Sequence, residues 1–174
     1  MKKLIFLDID GVLAVPVESH AWGLSDELQT RLGEILNTTG AMIVMSSSWR
    51  KETVHDTKLY MASRGFQFCD KIIGVTIRAY HYLERGAGVH LSIPRGVEIK
   101  QWIDTNIHSN MGKDWKKLDL GVDFNYVILD DDTDMLLEQK SKYINVDGIL
   151  GLTAANATMA IKILNESNKN LLKI

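Results

Sequence analysis

Short apolar runs, each closing on a polar tip, recur along this chain, with segments of helical period between them. The first, Leu4 to Leu7, breaks into Asp8, Ile9, Asp10 and Gly11, and the second, Ala41 to Met45, ends in Ser46, Ser47, Ser48, Trp49 and Arg50. Tyr126 to Leu129 ends in Asp130, Asp131, Asp132, Thr133 and Asp134, and Tyr143 to Val146 ends in Asp147. Runs of this length and apolarity predict buried strands. Between the first two, Ser25 is placed as an N-cap, Asp26 and Glu27 suit a helix N-terminus, and Leu28, Leu32, Ile35 and Leu36 line one face up to Gly40. A weaker pattern, carried by Val54, Leu59 and Ala62, predicts a helix over Glu52 to Arg64 that Gly65 stops. After Pro94, Ile99, Trp102, Ile103 and Ile107 keep a helical period, and Thr153 caps a last helix through Ala157, Ile161 and Leu164.

Three stretches lack such a period. Ala14 to Leu24, with Pro16 and Gly23, reads as a loop or flap beside the first acidic tip, where His20 and Trp22 could reach a ligand. Phe66 to Pro94 holds a short strand within Lys71 to Val75 and otherwise reads as an irregular insertion, and Ser109 to Asn125 reads as a polar surface loop. Strands alternating with helices predict an α/β fold, a mainly parallel sheet covered by helices on both faces. At 174 residues the expectation is one domain over 1–174, with the insertion at about 66–94.

Composition narrows the function classes. Hydrophobic residues make up 45% and charged residues 24%, as in ordinary globular proteins, and a net charge of −2 argues against bulk electrostatic binding of nucleic acid. Cys69 is the single cysteine, so neither an intramolecular disulfide nor a cysteine zinc cluster can form, and the five histidines lack ligand spacing. The first apolar run is broken by Asp8 and Asp10, unlike a signal peptide, and no run is long enough to span a membrane. A cytoplasmic protein with no membrane and no stable protein partner is the expectation.

In parallel sheets ligands bind outside the carboxyl ends of the strands. Every unusual polar cluster here lies at such an end, so Asp8, Asp10, Ser46, Asp130 and Asp131 are expected to converge. Side-chain alternation sends Asp8 and Asp10 to the same side, a repulsive pair unless a cation neutralises it or one member keeps its proton. Carboxylates without cysteine favour a hard cation, Mg²⁺, whose usual partner is phosphate. Ser46 could hold a phosphoryl oxygen, and Arg95 or Lys100 could offset its charge. One aspartate would act as nucleophile and the other as proton donor.

These residues resemble the haloacid-dehalogenase-like (HAD) hydrolases. The phosphatases among them carry a strand ending in Asp-x-Asp-Gly, matched by LDIDGVL at Leu7 to Leu13, and a strand ending in Ser or Thr, matched by IVMS at Ile43 to Ser46. They also carry a Lys or Arg before the last motif and a strand ending in paired acids, matched by VILDD at Val127 to Asp131. The resemblance implies a Rossmann-like HAD core, and because the first two motifs leave room for only a flap and one helix and the Phe66 to Pro94 insertion is small, minimal or no cap domain is expected. It implies Asp8 as the nucleophile that becomes an aspartyl-phosphate, Asp10 as general acid and then base, and Ser46 as phosphoryl ligand. Mg²⁺ would be held by Asp8, the main-chain carbonyl of Asp10, Asp130 and Asp131, with Asp134 as a substitute for Asp131. Arg95 is favoured over Lys100 as the basic residue, and Ser47 and Arg50 are candidate substrate contacts. SSSWR, RGVEIKQWI and VILDDD look particularly like the small HAD domains found alone and in bacterial RNA-repair proteins.

The expected activity is Mg²⁺-dependent phosphomonoester hydrolysis on a phosphorylated small molecule, a nucleotide or a nucleic-acid end. Basic and aromatic residues interleave in the insertion (Arg78, Tyr80, His81, Tyr82, Arg85, His90), a composition that suits a nucleic-acid end. The alternatives are a non-catalytic module that binds phosphorylated ends and a HAD-type phosphotransferase.

Overall fold

Five parallel strands form the centre of the molecule, in a computed structural model that describes residues 1–16, 22–78, 80–82, 90–107 and 124–166. In chain order the elements are β1 (Lys2–Leu7), β2 (Ala14–Pro16), β3 (Trp22–Leu24), α1 (Asp26–Thr39), β4 (Met42–Met45), α2 (Val54–Ser63), β5 (Ile72–Val75) and β6 (Tyr80–Tyr82). They continue with β7 (His90–Ser92), α3 (Arg95–Ile107), β8 (Phe124–Asp130), β9 (Tyr143–Asn145) and α4 (Ala154–Asn165). The central sheet runs β5-β4-β1-β8-β9, with the first strand of the chain in the middle. This is a Rossmann-like α/β core, as the alternation of apolar runs and helical periods predicts.

Alternation along β1 sorts the core into two layers. Ile5 and Leu7 join Leu32, Ile35 and Leu36 of α1, Met61 of α2 and Ala157, Ala160 and Leu164 of α4 on one face. Leu4 and Phe6 meet Ile99 and Trp102 of α3 on the other. Phe6 packs edge-on against both Trp102 and Tyr126, with ring centroids 5.5 and 5.6 Å away. Removing that ring would cost about 3–5 kcal/mol.

The helix ends follow the capping chemistry. Ser25 accepts from the Leu28 amide and Gly40 closes α1 in the left-handed region. Thr53 caps α2, and Thr153 forms a reciprocal capping box with Asn156 on α4. Along α2 the sequence pattern picks the wrong face. Leu59 and Ala62 are exposed, and Thr57 and Met61 point inward, because a hydroxyl that bonds back to the Thr53 carbonyl and the Lys51 amide can be buried.

Within the stretch read as a flap, β2 and β3 pair antiparallel, and His20 lies outside the described residues. The short strand expected within Lys71 to Val75 is the edge strand β5, and the remainder of Phe66 to Pro94, read as irregular, supplies a further antiparallel pair, β6 with β7. Tyr80, His81 and Tyr82 fall on β6 and His90 on β7, whereas Arg85 lies outside the described residues. Of the polar stretch from Ser109, residues 109–123 lie outside as well, and Phe124 and Asn125 already belong to β8. Among the described residues, no helix is long and apolar enough to cross a membrane.

Candidate active site

Strand register builds the site. Leu7 lies level with Met45 on β4 and with Leu129 on β8, so the next residues, Asp8, Ser46 and Asp130, stand side by side on three adjacent strands. The Asp8 amide still donates to the Leu129 carbonyl at 3.0 Å, and the Ser46 amide to the Leu7 carbonyl at 2.9 Å. Sheet hydrogen bonding thus extends right up to the polar tips. Neighbouring strands lie about 4.8 Å apart, so this register alone gathers residues far apart in sequence.

Asp8, Asp130 and Asp131 each bring a carboxylate oxygen to within 4.8 Å of the others. Asp8 and Asp130 are buried, and Asp131 is partly so. Gly11, with φ 69°, and Gly148 both lie against the Asp131 carboxylate, where any side chain would collide with it. Burial pushes the Asp8 carboxyl up to about 6, against the lowering pull of Arg95, the Ser47 hydroxyl and the Ile9 amide. Burial, and then the charge of Asp8, pushes Asp130 up to about 8. Asp10 lies close enough to raise both Asp8 and Asp131.

Arg95 supplies the opposing charge. Its Nε lies 3.7 Å from Asp130 Oδ2, and its guanidinium donates to the Ser46 carbonyl. The acidic loop itself delivers it. Asp134 Oδ2 accepts from the Arg95 amide at 2.8 Å, placing an acid at the N-terminus of α3, and buried Gln139 donates to the Gly96 carbonyl at 2.8 Å. Asp134 is therefore committed to the helix, and Asp131 is the acid that joins Asp8 and Asp130. Lys100, one turn further along α3, points away and pairs with Asp104 at 3.1 Å and Glu138 at 3.8 Å.

Two candidate substrate contacts turn inward. Ser47 is fully buried, with its hydroxyl accepting from the Trp49 amide at 3.2 Å and hydrogen-bonding Asp8. Arg50 is buried too, donating to the carbonyls of Ser47, Thr76 and Ile77 and to Glu98 on α3 at 2.7 Å. A guanidinium with that many acceptors beneath the surface braces the loop and does not reach outward. Arg78, exposed, donates to the Ser48 carbonyl. Ser46 keeps its hydroxyl at the strand end, 3.4 Å from Thr76 Oγ1.

A family model for the HAD domain in Swiss Army Knife RNA repair proteins matches residues 4–157. The chain belongs to this family. The matched span of this HAD domain runs from β1 into α4 and includes all the residues just placed. No curated protein and no solved structure gives a significant match.

The donor set of the HAD domain fits a hard cation. It is all oxygen, and two of its atoms, Asp8 Oδ1 and Asp130 Oδ2, are buried without a hydrogen-bond partner among the described residues. Among the described residues, Asp8, Asp10, Asp130 and Asp131 converge while Arg95 alone of the candidate cations reaches them. Sequence reasoning missed Ser48 and Trp49 as partners of Asp10. Both donate to its carboxylate at 2.9 Å, and nothing in a Ser-Ser-Ser-Trp run signals which serine turns which way.

Proposed function

We propose that this HAD domain is a Mg²⁺-dependent phosphomonoesterase that works through an aspartyl-phosphate on Asp8, acting on nucleotides or phosphorylated nucleic-acid ends. The observation that carries the reading is the convergence of Asp8, Asp130 and Asp131 within 4.8 Å, beside Arg95 and the Ser46 strand end. Asp8, the Asp10 carbonyl, Asp130 and Asp131 would hold the ion. When bound it offsets the charge of the carboxylates and of the phosphoryl group.

The chain's own residues divide the remaining work. A carboxylate oxygen of Asp8 attacks phosphorus, and the bond from phosphorus to the leaving oxygen breaks. The electron pair freed on that oxygen takes the proton of Asp10, which releases an alcohol. Asp10, now ionised, takes a proton from the water that attacks the aspartyl-phosphate, so that phosphate leaves and the Asp8 carboxylate is restored. Ser46 and Arg95 hold the phosphoryl oxygens through both steps. Membership of a family named for RNA repair proteins supports a nucleic-acid end as substrate.

The test is turnover of nitrophenyl phosphate by the wild type, Asp8→Asn and Asp10→Asn, followed by a comparison of sugar phosphates, nucleoside monophosphates and oligonucleotides phosphorylated at either end. Loss of turnover in both variants is expected, with the oligonucleotides or nucleotides preferred. Wild-type turnover in either variant would overturn the mechanism, and oligonucleotides and nucleotides no better than nitrophenyl phosphate would overturn the substrate class.

A further inference from the structure

The loop after β4 touches Asp10 with two different kinds of donor. Ser48 Oγ lies 2.9 Å from Asp10 Oδ2, and Trp49 Nε1 lies 2.9 Å from Asp10 Oδ1. An indole N–H can only donate, whereas a serine hydroxyl can donate or accept. With the carboxyl ionised both groups donate to it. Once it is protonated, the carbonyl-type oxygen is the better acceptor for the fixed indole donor, and the oxygen facing Ser48, whose hydroxyl can turn to accept, is the favoured place for the proton.

The indole has little freedom to leave. Its ring meets Tyr60 edge-on at 6.1 Å between centroids, and the Arg64 guanidinium lies 5.1 Å from its centroid. Its amide donates to Ser47, and buried Arg50 and exposed Arg78 grip the carbonyls of Ser47 and Ser48. One braced loop thus sets both the Ser46 strand end and the orientation of the carboxyl at Asp10.

We propose that Trp49 and Ser48 are positioning residues for Asp10, Trp49 reserving Oδ1 as an acceptor so that Oδ2 presents the proton to the leaving oxygen. This rests on the reading of Asp10 as the general acid. A donor that acts in this way matters most where the leaving group needs a proton, and least where it departs readily as an anion.

The experiment compares kcat/KM for butyl phosphate and for nitrophenyl phosphate in the wild type, Trp49→Phe, Ser48→Ala, Asp10→Asn and the Trp49→Phe/Asp10→Asn double variant, all in the full chain with Mg²⁺. Trp49→Phe is expected to lose about tenfold more on butyl phosphate than on nitrophenyl phosphate, a fraction of what a general acid supplies. The double variant should match Asp10→Asn, because a residue acting through Asp10 has nothing further to remove. Equal losses on the two substrates, or a double variant that falls further by the full Trp49→Phe factor, would overturn the proposal. If Trp49→Phe does not fold, Ser48→Ala carries the same comparison with the same two outcomes. Wild-type kcat/KM in Asp10→Asn on both substrates would instead defeat the acid-base reading itself, so the two failures are distinguishable.

Discussion

Gly11 lies directly against the carboxylate of Asp131, although 120 positions separate them, and the chain passes there with φ 69°. A side chain at residue 11 would both strain the backbone and strike the carboxylate that completes the acidic cluster. Gly11→Ala should therefore cost about 1–2 kcal/mol from the left-handed backbone alone. It should also displace Asp131 and remove most Mg²⁺-dependent stabilisation, read as the thermal shift on adding MgCl₂. A shift equal to that of the wild type would show that Asp131 does not need this gap.

The buried carboxyls give the metal-free protein an unusual pH dependence. Asp8 is raised to about 6 and Asp130 to about 8, from 3.8. Both hold their protons more tightly folded than unfolded, so between about pH 4 and 8 the folded state carries the extra protons and stability falls as pH rises. Each extra proton held by the folded state makes the slope about 1.4 kcal/mol per pH unit within that interval. Urea unfolding in EDTA across that interval measures it, and Asp130→Asn should flatten the profile. Stability that rises with pH over the same interval would contradict the burial of these groups.

Arg95 and Lys100 separate cleanly in the structure and should separate in kinetics. Arg95→Ala should lower kcat/KM for nitrophenyl phosphate about a hundredfold, the scale of losing one charge-stabilising donor. Lys100→Ala, which removes an exposed cation paired with Asp104 and Glu138, should change it less than about twofold. The reverse order would place the phosphate-stabilising cation on Lys100.

The buried ion pair between Arg50 and Glu98 joins the loop after β4 to α3. Leaving either charge without this partner should cost about 3–5 kcal/mol. Arg50→Met and Glu98→Gln should each lower the urea midpoint accordingly. A loss under about 1 kcal/mol would mean that the pair is not the brace of this loop.

The central strands and the convergence at their carboxyl ends were legible because apolar runs and polar tips are local signals, and parallel register then sets Asp8, Ser46 and Asp130 level. What escaped depends on side-chain direction. Arg50 and Ser47 have the composition of substrate contacts, yet each found buried partners, Glu98 and the Thr76 carbonyl for one and Asp8 for the other. Asp134 reads as a spare acid, but its carboxylate caps α3 and so aims Arg95, a tertiary relationship that no spacing encodes. On α2 a single buried threonine was enough to rotate the apparent apolar face, because its hydroxyl is satisfied by backbone.

The central claim is that Asp8 carries the phosphoryl group between the two half-reactions. Rapid acid quench of the wild type during turnover of radiolabelled phenyl phosphate with Mg²⁺ tests it most directly. Protein-bound label is expected in the wild type, vanishing in Asp8→Asn and accumulating when Asp10 is replaced by Asn, because hydrolysis of the aspartyl-phosphate loses its base. Protein-bound label of wild-type amount in Asp8→Asn, or rapid turnover by the wild type with no label on the protein at any time, would contradict it.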